Sequence, residues 1–221
     1  MVRGLQAVLL IVFFSQFTYP QANASAATVT FTLDFPGSQP SHYSIKIDRS
    51  GPSHYESRNK ISEESEEEDN FTYDFTASEG VRQKIFDLSV KIGYFQQDLD
   101  SHRKNMAFTG KKTLSYKDGQ RTGEATYNYS ANVSVQELTA IFQSMSSTLE
   151  FGHRLDYDRR YQKLALAEEL RRMEELSRSM PLVEIQAIAP ILQQIVDDSG
   201  VINVSRARAQ RLLASGSTGG Q

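Results

Sequence analysis

Six acidic residues occupy the seven positions from 63 to 69 and form the densest group of possible metal-ligating side chains in the chain. Carboxylate oxygens bind calcium, but a calcium loop also needs a glycine for its sharp turn, and residues 52–79 contain none. Because like charges at this density repel one another, the pattern predicts a solvated acidic loop over residues 62–70. A cation site, or a contact with a basic partner, is the alternative, with the ligands Glu63, Glu64, Glu66, Glu67, Glu68 and Asp69.

Other residues with catalytic potential are scattered along the chain. Asp98 with Asp100, and Asp156 with Asp158, could serve as carboxylate pairs, but glycoside hydrolysis needs two acids that flank a cleft at a defined separation. The chain has no Cys, no HExxH zinc motif and no GxSxG serine motif. The segment FTGKKT (residues 108–113) ends like a phosphate-binding loop, but Asn105 stands where that loop has its first glycine. The sequence therefore predicts no cofactor and no resident metal, and identifies no catalytic residue.

The first 24 residues have the pattern of a secretory signal. Arg3 precedes an apolar run over residues 5–14, and small residues permit cleavage after Ala24 or Ala26. An uncleaved anchor is the alternative, but polar residues interrupt the run well before the roughly 20 apolar residues that a membrane span needs. We expect an exported protein, periplasmic or extracellular, with no membrane span after cleavage. The formal net charge of −3 gives no electrostatic reason to expect nucleic-acid binding.

Apolar and polar residues alternate after the signal, which predicts antiparallel strands. The positions expected to share a buried face are Val29, Phe31 and Leu33, then Tyr43, Ile45 and Ile47, and, after the acidic run, Phe71, Tyr73 and Phe75. A second hairpin is predicted over residues 114–129. Tyrosines recur on these strands, where they either pack under helices or form an aromatic face for sugars or peptides: Tyr43, Tyr55, Tyr73, Tyr116, Tyr127 and Tyr129.

The turn after Ile47 defines a candidate surface pair. Ile47 and Tyr55 lie on the same face only if a three- or five-residue loop joins their strands. The register that we expect places Asp48 opposite His54 on the outer face of the sheet.

The apolar spacing changes to a helical period at two places. Residues 76–79 and residues 134–137 each resemble a capping box, and Gly93 stands where a left-handed residue would end the first helix. From residue 156 onward the pattern is wholly helical, with one helix expected over residues 157–178, another kinked or split at Pro190, and a short last one from Asn203. A hairpin followed by a helix occurs twice, which suggests a structural repeat.

Three segments carry a resemblance to known proteins: residues 43–57 (YSIKIDRSGPSHYES), 84–96 (KIFDLSVKIGYFQ) and 111–119 (KKTLSYKDG). They resemble uncharacterised secreted bacterial proteins with a hairpin, a helix that ends in an aromatic pair, and a second hairpin. The resemblance covers roughly residues 28–152 and implies a fold pattern without an activity. Some related domains have a Cys-containing segment before the first hairpin, where this chain has Gln39, Pro40, Ser41 and His42.

These patterns together predict an α+β fold, in which an antiparallel sheet built from β-hairpins is covered by two helices and followed by an all-helical C-terminal extension. The expected divisions are a signal peptide (residues 1–24), the α+β module (25–152), the helical extension (153–214) and a disordered tail (215–221). We expect a non-enzymatic binding or interaction module of the cell envelope, with a protein or an envelope component as its partner. The alternatives are an extracytoplasmic hydrolase that uses carboxylates near the tyrosine-rich strands, and a helical envelope scaffold.

Overall fold

The computed structural model describes residues 26–60 and 68–218. The predicted signal peptide and Glu63, Glu64, Glu66 and Glu67 of the acidic run lie outside these residues. The strands are β1 (Thr28–Asp34), β2 (His42–Asp48), β3 (Pro52–Lys60), β4 (Glu68–Thr76), β5 (Lys111–Lys117) and β6 (Thr122–Tyr127). The helices are α1 (Glu79–Lys91), α2 (Val133–Tyr161), α3 (Leu166–Ser179), α4 (Ala189–Asp197) and α5 (Asn203–Thr218), with a short 3-10 helix at Ile185–Ile188.

The six strands form one antiparallel sheet in the order β4-β3-β2-β1-β5-β6. This confirms the predicted α+β class. The alternation in β1 and β2 is also confirmed, because Val29, Phe31, Ile45 and Ile47 are fully buried while their neighbours along each strand remain partly exposed. A hairpin followed by a helix does occur twice, as β3–β4 before α1 and β5–β6 before α2. Both hairpins belong to one sheet, in which β5 joins beside β1.

The β2–β3 hairpin has a three-residue loop over residues 49–51, one of the two lengths that the pattern allowed. Its register places Lys46 opposite His54, so the expectation that Asp48 lies opposite His54 is wrong. The Asp48 carboxylate instead accepts hydrogen bonds from the Ser50 amide and hydroxyl, at 2.7 and 2.6 Å. These bonds close the shorter loop, because an Asp side chain that bonds the backbone two residues later is itself a turn-forming element.

Both helix starts differ from the predicted capping boxes. Ser78 is the N-cap of α1, but its amide and hydroxyl donate to the Glu184 carboxylate, at 2.9 and 2.7 Å, so the cap ties α1 to the C-terminal half. The α2 helix begins one residue after Asn132, whose side chain accepts from the Ser134 amide at 2.9 Å. Gly93 does end α1 in a left-handed conformation (φ +73°), as predicted.

The α2 helix crosses the expected boundary between residues 152 and 153, so the module and the helical extension share one continuous element. A turn at residues 162–165 divides the helix that was expected over residues 157–178. The helix expected around Pro190 is split rather than kinked, because the 3-10 helix Ile185–Ile188 ends where α4 begins. Pro190 lies in the first turn of α4, where its missing amide hydrogen costs no helical bond. The last helix, α5, continues to Thr218, well into the segment that was expected to be disordered.

The core lies between one face of the sheet and α2, where the rings of Phe31 and Phe142 stack with centroids 5.1 Å apart. The α3 and α4 helices pack on α2, and α5 packs on α3 and α4. Within the described part of the chain, no helix has both the length and the apolar composition that crossing a membrane requires.

Candidate functional site

Two residues of the acidic run, Glu68 and Asp69, lie in the exposed start of β4, opposite Lys60 and Asn59 of β3. Strand pairing therefore extends into the segment that was expected to be a loop. The Asp69 carboxylate lies 3.3 Å from Nε2 of His153 on α2. Within residues 26–60 and 68–218, no group of three or more acidic or histidine side chains is arranged to hold a metal ion.

Each of the four histidines contacts an aspartate. His54 pairs with Asp74 on the neighbouring strand at 2.6 Å, in place of the expected Asp48, and the other pairs are His42–Asp34, His102–Asp98 and His153–Asp69. Asp98 and His102 are four residues apart, so this pair could have been noticed in the sequence. The hydrogen bond that the His102 imidazole donates to the Asp98 carboxylate raises the pKa of His102. These pairs lie at separate positions and do not converge on one cavity.

Four of the six strand tyrosines are buried under the helices: Tyr43, Tyr55, Tyr116 and Tyr127. Tyr73 is half-buried and donates to the backbone oxygen of Ala187 at 2.7 Å, while Tyr129 lies beyond the end of β6. These six tyrosines therefore serve mainly as core, and they form no exposed aromatic sheet face.

Two cavities that share Gln143 as a lining residue lie on one side of α2, and we call them together the α2 groove. The first cavity, of about 330 Å³, lies between α2, the turn before β2, and α3. Its polar lining includes Ser38, Gln39, Tyr43, Gln143, Ser146 and Ser147, with Glu150 and Arg154 at one end. The second cavity, of about 310 Å³, lies between α2, the start of β5 and the end of β6, and is also lined by Gln143.

Glu150 anchors the first cavity to the sheet. Its side chain is 5% exposed, and Oε1 accepts hydrogen bonds from the Tyr55 hydroxyl at 2.7 Å and the Ser57 hydroxyl at 2.6 Å. The hydroxyls of Tyr55 and Ser146 lie 3.0 Å apart. Burial, and to a smaller extent the nearby Glu150 charge, raises the pKa of Tyr55 far above its usual range. The phenol therefore stays protonated and remains a hydrogen-bond donor.

Arg154 balances two buried carboxylates at the end of this cavity. Its Nη1 lies 3.9 Å from Glu150 Oε2, and its Nε donates to Oε1 of Glu169 on α3. The same guanidinium covers the Phe151 ring at 4.7 Å. Glu169 is buried as well, and Arg172 lies 3.7 Å from its second oxygen. The charged groups at this end of the groove are therefore engaged with one another.

A buried lysine occupies the floor of the second cavity. Lys112 Nζ donates to the backbone oxygens of Thr109 at 3.0 Å, Gly110 at 3.2 Å and Asn128 at 2.9 Å, and lies 3.0 Å from the Thr109 hydroxyl. Burial lowers the pKa of Lys112, although these contacts favour its charged form. Beside it, burial raises the pKa of Tyr127 to about 12, and the Tyr127 hydroxyl lies 2.6 Å from that of Thr139. The lysine thus holds together two chain segments at the groove wall.

Gln143 lies where the two cavities adjoin. Its side chain is half-buried, and within the described residues its carboxamide makes no hydrogen bond. By contrast, Gln136 in the second cavity donates to the Ser130 backbone oxygen at 2.8 Å and to the Tyr129 hydroxyl at 3.0 Å. Among the described residues of α2, Gln143 is therefore a carboxamide without a hydrogen-bond partner, and it lines both cavities.

No protein-family model matches this chain, and no curated protein sequence matches it either.

Of the residues that line the groove, the sequence pattern pointed to Tyr43, Tyr127 and Tyr129. It did not point to Glu150 or Lys112, although both positions carried a signal. Glu150 lies eight residues after Phe142 and so falls on the buried stripe of α2. Lys112 shares the buried face of β5 with Leu114 and Tyr116. A charged side chain on an apolar face requires partners from elsewhere in the fold, and that requirement could have pointed to both positions.

Proposed function

We propose that this protein is an exported, non-enzymatic binding module of the cell envelope, and that its ligand lies in the α2 groove. The observation that most directly supports a ligand here is the unpartnered carboxamide of Gln143 between two adjoining cavities. Each cavity has a volume within the range of about 300–1,000 Å³ that is typical of small-molecule sites. The secretory pattern of residues 1–24 supports the location.

The groove geometry favours binding over hydrolysis. Glycosidases place two carboxyl groups about 5–9.5 Å apart across the scissile bond. Glu150 is the one carboxylate that lines the first cavity, and its Oε1 already accepts two hydroxyl donors. Glu169 lies behind Arg154 and does not line that cavity.

The test is capture of envelope components by immobilised protein that lacks residues 1–24. In one variant, Ser147→Trp, an indole fills the first cavity; in the control, Ser199→Trp, the same residue is placed at an exposed turn. Both variants must show the melting temperature and circular dichroism of the parent. We expect a component that the parent and Ser199→Trp retain and that Ser147→Trp does not. Equal retention by all three proteins would overturn the groove as the binding site. Conversion of the captured component, abolished by Glu150→Gln, would establish the hydrolase instead.

A further inference from the structure

The segment just before β5 exposes two large apolar side chains. Met106 is 39% exposed and Phe108 is 58% exposed, and we call residues 101–110, which include them, the β5 loop. The Phe108 ring meets the half-buried Phe35 ring in a T-shaped contact, with centroids 5.8 Å apart. An aromatic side chain that keeps more than half of its surface in water gives up burial that would stabilise the fold. A partner or medium outside the protein could supply that burial.

Hydrogen bonds to the end of β6 hold the β5 loop in this form. The Asn128 carboxamide donates to the backbone oxygen of Ala107 at 3.0 Å and accepts from the amide of Thr109 at 2.8 Å. The Ser101 amide donates to the backbone oxygen of Tyr129 at 2.8 Å. The two exposed apolar side chains therefore belong to a loop that the fold fixes in place.

Basic side chains flank these apolar residues. Arg103, Lys104 and Lys111 are exposed, and none of them forms an ion pair with a residue that the structure describes. The Arg103 guanidinium lies over the Tyr129 ring, 5.7 Å from its centroid. Residues 101–117 contain no acidic residue. The β5 loop thus combines exposed apolar surface with positive charges that have no counter-charge in its own segment.

Acidic residues at this end of the fold are bound to other partners. Asp34, opposite the first residue of β5, lies 2.6 Å from Nδ1 of His42. Asp98 and Asp100 both contact His102, whose Nε2 lies 2.6 Å from Asp98 and whose amide donates to Asp100 at 2.7 Å. The three basic side chains are therefore available to an external anionic group.

Apolar and basic side chains side by side match the chemistry of an anionic lipid surface. Basic side chains attract anionic headgroups, and apolar side chains enter the boundary between headgroups and acyl chains. A specific protein partner of standard size covers about 800 Å² on each side. A ten-residue loop with two large apolar side chains fits insertion into a lipid surface better than it fits an interface of that area.

We infer that the β5 loop docks this protein on an anionic lipid surface, with Met106 and Phe108 inserted and with Arg103, Lys104 and Lys111 in contact with the headgroups. This inference goes beyond the proposed function, because it assigns a contact with the membrane itself. It does not depend on a ligand in the α2 groove.

The test is cosedimentation of the protein without residues 1–24 with lipid vesicles at low ionic strength. One set of vesicles contains equal parts of phosphatidylglycerol and phosphatidylcholine, and the other contains phosphatidylcholine alone. We expect binding to the first set, weaker binding to the second, and a loss of binding when salt screens the charges. Equal binding to both sets would contradict the anionic surface.

Two pairs of variants assign the contact to the β5 loop. Lys104→Gln should weaken binding about fivefold, whereas Lys117→Gln, about 20 Å from the loop at the other end of β5, should leave it unchanged. Phe108→Ala should weaken binding about fivefold or more, whereas Val90→Ala, at an exposed apolar position of α1, should not. The melting temperature of each variant verifies that it is folded.

The inference is wrong if the parent does not bind the anionic vesicles, or if both loop variants bind them as their controls do. If the loop variants instead lose a captured envelope protein while the vesicles bind nothing, the loop docks on a protein and the lipid surface is wrong. Ser147→Trp should bind the vesicles as the parent does, so failure of the groove and failure of the loop are distinguishable.

Discussion

Glu150→Ala should lower the free energy of unfolding by about 2–4 kcal/mol, although the residue lines a cavity. The Ser57 hydroxyl is buried and has Glu150 as its acceptor, so losing that acceptor leaves an unpaired group at a cost of about 1–3 kcal/mol. Tyr55 loses a bond to a charged acceptor but retains the Ser146 hydroxyl, which limits the further loss to about 1 kcal/mol. Losing the contact between Glu150 and Arg154 adds little to this cost, because the Arg154 side chain is 45% exposed and keeps Glu169 as a partner.

The assay is urea denaturation, with Glu137→Ala as the matched control on the same helix. Glu137 is 44% exposed and pairs with Lys84 at 2.6 Å, and such a surface pair contributes at most about 1 kcal/mol. For a chain of this size, a loss of 2–4 kcal/mol corresponds to a fall in melting temperature of about 4–16 °C.

A double-mutant cycle separates the unpaired Ser57 hydroxyl from the loss of packing. If the unpaired hydroxyl dominates, Ser57→Ala in the Glu150→Ala background should restore stability by about 1 kcal/mol or more, whereas Ser57→Ala alone should destabilise the protein. The reasoning is refuted if Glu150→Ala costs no more than Glu137→Ala, or if Ser57→Ala destabilises both backgrounds equally.

The remaining predictions concern Lys112 in the groove wall, the close approach of Gly123 to the Tyr94 backbone, and the buried tyrosines. Lys112→Met should lower the free energy of unfolding by about 2–4 kcal/mol, because it leaves buried backbone oxygens unpaired. The control, Lys111→Met at an exposed position, should lower it by under about 0.5 kcal/mol. Equal losses in urea denaturation would contradict the role assigned to the Lys112 ammonium. A Cβ on Gly123 would lie 2.0 Å from the Tyr94 backbone oxygen, so Gly123→Ala should lower the free energy of unfolding by about 1–3 kcal/mol or more. Gly119→Ala is the control and should cost little, because a Cβ at Gly119 would meet no atom within 4 Å. Similar melting temperatures for the two variants would refute the close contact at Gly123. Burial raises the pKa of Tyr43, Tyr55 and Tyr127 strongly in the folded state. Their contribution to the free energy of unfolding is fully present below the unfolded pKa of about 10 and is lost as pH rises above it, by up to about 1.4 kcal/mol per pH unit for each group. Urea denaturation at several pH values from 8 to 11 measures this loss for Tyr43, Tyr55 and Tyr127. A free energy of unfolding that stays constant over this range would refute the prediction.

The periodic parts of the fold could be predicted because burial on one face leaves a direct pattern in the sequence. The alternation of Val29, Phe31 and Leu33 predicts a strand with one buried face, and the helical spacing of Ile85 and Leu88 predicts the buried stripe of α1. These patterns do not depend on which strands are neighbours. They indicate elements, while the order of β1 between β2 and β5 depends on contacts between distant residues.

The errors arose where a polar side chain had more than one possible partner. Asp48 could form a cross-strand pair or close a turn, and the bond to Ser50 two residues away selects the shorter loop. Thr76 and Glu79 were expected to form a capping box, but α1 begins after Ser78. The Ser78 amide and hydroxyl donate to the Glu184 carboxylate, 106 residues later in the chain. A local pattern does not contain the information that decides such competitions.

The candidate site was hidden for the same reason. Glu150 meets Tyr55 and Ser57 more than 90 residues away in sequence, and no short motif joins them. A carboxylate that acts as a general acid or base must exchange protons with a substrate, whereas Glu150 Oε1 is held by two hydroxyl donors. In the second cavity, the Lys112 ammonium is likewise occupied by backbone oxygens. The partners that make these charged residues stable in the core therefore also leave them poorly suited to proton transfer.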